Sequence, residues 1–449
     1  MKGRLWPITL TVICLLCLAA GIGQVSGGLT DSEVSPANSF QAWISTQWLQ
    51  TTLADFDSGL SVQADTRSSP GDVTLARDSH IYALQGGTPS FWVYGIPGNT
   101  WTPQTSTPNA VGAGGALAYD GSRYIYALRG NNSRAFWRYD IATGMWAARA
   151  NTPANVGAGG SLAYDGTTYV YALRGNGTNG FWRYDTTLNI WATMANTPAA
   201  VAAGGALAYD GTRYVYAFRG NNRNNFWRYD TASDSWQVMA NAPARVDAGG
   251  ALAYDGIAYL YAFRGANRTA FWRYDINNNS WTTMANAPAN VGAGGALTYA
   301  GPGYIFAFSG GGTTAFWRYD VMGNSWAVMA SALGGVGAGG SLTCVGASTY
   351  VSSATIASQV RDTGTTEARW DALFWDETLP ANTSITFEVR ASDTPFAADN
   401  AVLPWIPVGN ISPITSGLPS GRYIQWRATL TTTDNVLTPV LHEVRAYHS

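Results

Sequence analysis

This sequence predicts an all-β protein, most of it one four-stranded unit repeated around a ring, with a further β-rich layer at its end. Three observations carry that expectation. The stretch VGAGGALAYDGSRYIYALRGNNSRAFWRYD at 111–140 returns almost unchanged at 156, 201, 246 and 291. Gly-Gly pairs begin at Gly114, Gly159, Gly204, Gly249, Gly294 and Gly339, a step of 45 residues each time. Short β-branched and aromatic runs alternate with turn residues, and no part of the unit carries a helical period. A fixed period of this size marks a repeat architecture, and four strands per unit in tandem make a β-propeller.

Within one unit, strand A reads AGGALAY at 113–119, and Asp120-Gly121 turns the chain because a position needing positive φ favours glycine. Strand B follows as YIYALR at 124–129, β-branched and aromatic. A variable loop, NNSRA, leads to strand C, FWRYD at 136–140. Strand D holds Trp146 and ends before Pro153. Strand B occurs six times, starting at His80, Tyr124, Tyr169, Tyr214, Tyr259 and Tyr304. Strand C starts at Phe91, Phe136, Phe181, Phe226, Phe271 and Phe316. Strand A also occurs six times, but one unit out of phase. The last strand A, at 338–345, has no strand B after it, and the first strand B, at 80–85, has no strand A before it. The two are expected to pair and close the ring, which removes exposed sheet edges.

The unit resembles the kelch repeat: an apolar strand ending near glycine, then Tyr-Asp, then Trp seven residues after the Tyr (Tyr139 to Trp146), then Pro before the next unit. The kelch double glycine stands at Gly86-Gly87 and Gly310-Gly311, whereas the middle units carry Arg129, Arg174, Arg219 or Arg264 in place of its first glycine. The likeness covers about 80–345 and implies a β-propeller; six copies of each strand make it six-bladed, and with the flanks the expected fold is all-β, a six-bladed kelch-like β-propeller plus a β-sandwich domain. The Gly-His and Trp-Asp signatures of WD repeats are missing. The flanks, with GDVTLA near 71–76 and YVSS…DTG after 349, resemble two parts of a β-sandwich module of exported prokaryotic proteins. In that module these strands follow one another. Here a propeller is expected to sit between them, its two chain ends lying side by side. A plain C-terminal sandwich preceded by a linker is the other reading. The expected organisation is 1–27 signal peptide or N-terminal anchor, 28–77 linker and first sandwich strands, 78–346 propeller and 347–449 sandwich.

Lys2 and Arg4 precede an apolar run from Leu5 to Ala20 and then small residues, the pattern of an export segment, cleaved or left as an anchor. Both readings place the rest of the chain outside the cytoplasm, extracellular or at the cell surface. Cys14 and Cys17 lie in that segment, leaving Cys344 alone, so no disulfide framework is expected. A net charge of -2 leaves no electrostatic footprint for nucleic acid.

The inventory of chemical groups argues against an enzyme. The histidines are His80, His442 and His448. A copper site of the galactose-oxidase kind needs histidines and a cysteine clustered in the propeller. No glutamate occurs from 72 to 346, whereas glycoside hydrolysis needs paired carboxylates. The propeller aspartates recur at the same place in each unit, Asp120, Asp165, Asp210 and Asp255 in A–B turns and Asp140, Asp185, Asp230, Asp275 and Asp320 ending strand C, which reads as turn formation. The sialidase Asp-box is absent, and DINNNS at 275–280 lacks the glycine of a calcium loop. No cofactor or metal is expected. Of 19 tryptophans, twelve are repeat positions expected to pack between sheets.

The arginines are the candidate recognition residues. Arg129, Arg174, Arg219 and Arg264 end strand B, with Gln85 and Ser309 in the other two blades. The adjoining B–C loops vary and add Arg134, Arg223 and Arg268, with Asn131, Asn221 and Asn222. In kelch propellers the B–C and D–A loops share a face that commonly binds partners. Arginine with asparagine suits carboxylates, sulfates and sugar hydroxyls. Invariance across blades favours a structural role for the strand B set, satisfying buried carbonyls, pairing with strand C aspartates or stacking on the Phe-Trp of strand C, and leaves the loop set as the exposed one. Sequons at Asn131-Asn132-Ser133, Asn176-Gly177-Thr178 and Asn267-Arg268-Thr269 fall on the same loops. The expected function is an exported, non-catalytic binding or adhesion protein recognising a surface glycan or extracellular protein. The alternatives are a secreted carbohydrate-active enzyme and a structural envelope component.

Overall fold

A computed structural model describes residues 46–301, 303–346 and 349–449. The segment read as an export signal, 1–27, lies outside the described residues. Six four-stranded antiparallel sheets form the propeller. The second blade is typical, with strands Ala116–Tyr119, Tyr124–Leu128, Phe136–Asp140 and Met145–Ala148 in spatial order A-B-C-D. The closing blade takes its innermost strand, Ser341–Val345, from the far end of the repeat and its other three, His80–Leu84, Phe91–Gly95 and Thr100–Pro103, from the near end. The register is Ser341 against Leu84 through Val345 against His80. The ring is therefore closed by one strand paired with three.

Strand A is shorter than its sequence pattern, starting at Ala116 rather than at 113. The reason lies in the Gly-Gly pair. Gly114 has φ +89°, and the Gly115 N–H turns back to the Gly112 carbonyl at 2.7 Å instead of joining the ladder. A β-carbon on Gly114 would stand 2.1 Å from the Gly157 carbonyl oxygen of the next blade. The same clash recurs at every blade, ending with Gly339 against Gly112 at 2.3 Å. Glycine is required here both by the left-handed φ and by the close approach of one blade to the next.

The outer seam is made by aromatic rings. Each strand D tryptophan packs edge-on against the strand C phenylalanine of the preceding blade, with ring centres 4.9–5.0 Å apart; Phe136 with Trp191 is one pair and Phe316 with Trp101 closes the circle. The indole N–H donates across the same seam to a backbone carbonyl at 2.8–2.9 Å, for example Trp191 to Ala150 and Trp101 to Ala330. Edge-on aromatic pairs with the polar end satisfied contribute beyond their buried area.

The segments before and after the propeller meet in the second layer. Thr46–Gln50 pairs with Val440–His448, which pairs with Trp370–Thr378. A second sheet runs Leu60–Val62, Ser353–Ala357, Tyr423–Thr432, Thr383–Ser392, Ile406–Gly409. Their shared core includes Phe56, Val73 and Leu75 from before the propeller with Trp370, Trp375, Phe387 and Trp426 from after it. A single helical turn at Leu53–Asp57 is capped by Thr52 and Asp55. Arg67 ties this layer to the last blade. Its guanidinium donates to both carboxylate oxygens of Asp320 at 2.9 and 2.8 Å and to Asp57 at 2.8 Å, and lies 4.8 Å over the Tyr304 ring.

Two outcomes test this architecture. Leu342 is 6% exposed in the closing strand, so Leu342→Ala should cost about 2–4 kcal/mol of stability by urea unfolding. A cost under about 0.5 kcal/mol, as for a surface site, would mean that 341–345 does not close the ring. Arg67→Ala should cost about 1–2 kcal/mol and separate the calorimetric transitions of the two layers, because it leaves two carboxylates without their cation.

Candidate functional site: the basic face of the propeller

Strand alternation puts the B–C loops and the approaches to the Gly-Gly pairs at one end of every blade, and the A–B and C–D turns at the other. Charge is divided between these ends. The first end carries Arg129, Arg134, Arg149, Arg174, Arg219, Arg223, Arg245, Arg264 and Arg268 against a single carboxylate, Asp247. The turns at the opposite end carry ten aspartates, Asp120, Asp140, Asp165, Asp185, Asp210, Asp230, Asp234, Asp255, Asp275 and Asp320, and two arginines, Arg123 and Arg213. Among the described residues the propeller's arginine–carboxylate ion pairs all sit at the acidic end: Arg123–Asp140, Arg213–Asp230 and the incoming Arg67–Asp320. Hydrogen bonds from Arg123 and Arg213 hold Asp140 and Asp230 below the usual carboxylate range. No arginine of the basic end forms such a pair among the described residues. The contact through Arg67 lies at the acidic end, so the basic face is turned away from it.

The arginines of the basic face divide into two kinds. Arg129, Arg174, Arg219 and Arg264 are half-buried. Each donates its Nε–H to a carbonyl nineteen residues earlier, in the approach to its own strand A: Ala110, Asn155, Ala200 and Arg245, at 3.1–3.2 Å. Gln85 does the same for the closing blade, donating to Gly335 at 3.0 Å. These side chains tie strand B to the neighbouring loop, and Arg219 also reaches Asn225 at 3.0 Å. Arg134, Arg223 and Arg268 are exposed. Arg134 donates to the Thr152 carbonyl at 2.6 Å, whereas Arg223 and Arg268 reach only the carbonyl of the preceding residue, Asn222 or Asn267.

Asn131, Asn221 and Asn222 are exposed at the loop tips, with φ of +50°, +55° and +53°. Asparagine tolerates this left-handed backbone better than most residues, so the turn explains its placement there without a ligand. The loops are fixed to the scaffold by backbone. Arg223 bridges to Val246 and Arg268 to Val291, and Asn131 donates its backbone N–H to Ala113 at 2.9 Å. Asn176 donates to the Asn132 side chain of the neighbouring loop at 3.2 Å. The exposed arginines therefore project from rigid, mutually braced loops.

At the centre of the basic face is a cavity of about 170 Å³, lined by the Ala-Gly-Gly-Ala/Ser-Leu segment of all six blades. Its wall is uncharged. Among the described residues no cluster of three histidine, cysteine, aspartate or glutamate side chains could hold a metal. Burial pushes the Cys344 thiol up to about 12, so it remains protonated at neutral pH and is a poor nucleophile.

Sequence reasoning missed the inter-blade role of a residue in the C–D turn. The Asn189 side chain accepts from the Tyr184 hydroxyl of its own blade at 2.7 Å and from the Ala150 N–H of the preceding blade at 2.9 Å. Asp234, Asn279, Asn324 and Asn99 repeat the latch, whereas the second blade has Gly144. The signal was present as an Asn or Asp two residues before five of the six strand D tryptophans, the exception being Gly144 before Trp146.

No protein-family model matches the chain, and no curated protein matches it. Among solved structures the chain is similar to a chain of the crystal structure of a nidogen/laminin complex, at 11% identity and a TM-score of 0.49, covering 60% of this chain and 98% of that one. It is also similar to the structure of YjhT, at 14% identity and a TM-score of 0.44, covering 57% of this chain and 93% of that one. Neither likeness identifies a ligand.

Proposed function

We propose that this chain is an exported, non-catalytic binding protein with a kelch-like propeller, recognising an anionic glycan through its basic B–C/D–A face. The observation that carries this reading is the division of charge: nine arginines stand at one end of the blades against one carboxylate, and none of them is ion-paired among the described residues. Arg129, Arg174, Arg219 and Arg264 are also tied to backbone carbonyls, whereas the exposed Arg223 and Arg268 reach only the carbonyl of the preceding residue. Unpaired charge on rigid loops is suited to recognition, because binding then orders little of the protein.

The loops of this face carry no Phe, Tyr or Trp. Neutral sugars and unpaired bases are commonly held by stacking on aromatic rings, so this surface favours ligands held by charge and hydrogen bonding. The arginine fork suits the planar oxygen pairs of carboxylate and sulfate groups. A single carboxylate on the face, without a second to work as its acid–base partner, supports binding rather than hydrolysis. The N-terminal pattern supports placement at the cell surface or beyond.

A glycan array at low and high salt, beside a panel of hydrolase and lyase assays, tests this. Anionic glycans should bind and weaken with salt. Arg223→Ala and Arg268→Ala should each weaken binding about fivefold, equivalent to about 1 kcal/mol for an exposed contact, without changing the melting temperature. Turnover of any polysaccharide would replace this reading by the enzyme alternative. An array without hits, on folded protein, would favour the structural one.

A further inference from the structure

The basic face is not evenly basic around the ring. The four blades from the second to the fifth carry Arg129 and Arg134, Arg174, Arg219 and Arg223, and Arg264 and Arg268 in their B–C loops. The closing blade and the sixth, which are neighbours, carry none. Their loops read QGGTPS at 85–90 and SGGGTTA at 309–315, with glycines at positive φ in place of side chains. The charge is thus an arc over four consecutive blades with a neutral gap of two.

From this we infer that the ligand is an extended acidic polysaccharide chain lying along that arc, around the axis rather than across it. The inference rests on the reading of the basic face as the ligand surface. The axial cavity has an uncharged wall of small residues and leucine, so a compact anion would find no cation at the centre. A ligand using all six blades equally would meet two blades with nothing to hold it. The braced loops keep the arc continuous: Asn132 and Asn176 join one pair of neighbouring loops, and backbone bridges join each loop to the approach of the next blade. A flexible chain with a charge on successive sugars can meet the exposed Arg134, Arg223 and Arg268 in turn, passing over the half-buried Arg174 of the third blade. Contacts that are individually weak then add through effective concentration, as long as the chain is long enough to reach the next blade.

Size-defined heparin oligosaccharides, from disaccharide to dodecasaccharide, titrated against the full chain by calorimetry, test this. Affinity should rise steeply with length and then level off once the arc is filled. Arg223→Ala and Arg268→Ala should weaken the long oligosaccharides about fivefold and lower their salt dependence. Thr314, exposed in the sixth blade, occupies the position of Arg134, and Thr314→Arg should move the plateau to longer oligosaccharides by extending the arc into the gap. A disaccharide bound as tightly as a dodecasaccharide would overturn the arc while leaving the basic face as the binding surface. Length-dependent binding unaffected by Arg223→Ala and Arg268→Ala would place the ligand elsewhere and overturn it as well. Polyglutamate bound as tightly as heparin of equal charge would overturn the polysaccharide in favour of an acidic peptide. No binding by any polyanion would overturn the basic-face reading itself.

Discussion

The closeness with which one blade meets the next governs the rest of this molecule. At the inner rim a left-handed glycine in each blade lies against the backbone of its neighbour, so near that a single methyl would collide with a carbonyl oxygen. At the outer rim a tryptophan fills the seam and donates its N–H across it. Both contacts must be satisfied at every junction for the ring to close. That requirement holds the Gly-Gly pair and the Tyr-Asp…Trp pattern nearly constant from blade to blade. It also confines variation to loops, which touch the seam less.

The repeat therefore separates two roles physically. Interior strand positions are buried and pack as fixed inter-blade clusters, so their identity answers to packing density. Loop tips are exposed and carry arginine, asparagine, glycine or threonine according to blade. Because the loops are pinned by backbone hydrogen bonds, changing a tip residue changes the surface without moving the scaffold. Such a construction lets a repeated fold present an uneven surface, here an arc of charge interrupted where the ring closes.

The β-sandwich is assembled from both sides of the propeller in sequence. Val73 and Leu75 share its core with Trp426 and Val444. The chain can leave the sandwich, complete the ring and return because strand 341–345 ends beside the start of strand 80–84. The 1-plus-3 closure thus seals the propeller and also brings its termini to one place, at the acidic end where Arg67 docks.

The sequence alone determined the number of blades, the strand order within each and the phase shift that closes the ring. A period of 45 residues with one strand type out of register admits few other arrangements. It also marked the A–B turn aspartates as structural, and each of the four is: Asp120 accepts the backbone N–H groups of Ser122, Arg123 and Tyr124 at 2.9–3.0 Å, and Asp165, Asp210 and Asp255 act alike. It set Arg129, ending strand B, apart from Arg223 in the loop, but it could not name the partner that holds the first. Only the fold shows that one is half-buried against a carbonyl of the neighbouring approach while the other projects from a braced tip. Nor could it show that Asn189 latches two blades, because its partner Ala150 is 39 residues away and meets it only across a closed seam. The polarity of the faces was decided by tertiary structure too, since the arginines and aspartates interleave along the chain and part company only when antiparallel strands carry alternate turns to opposite ends.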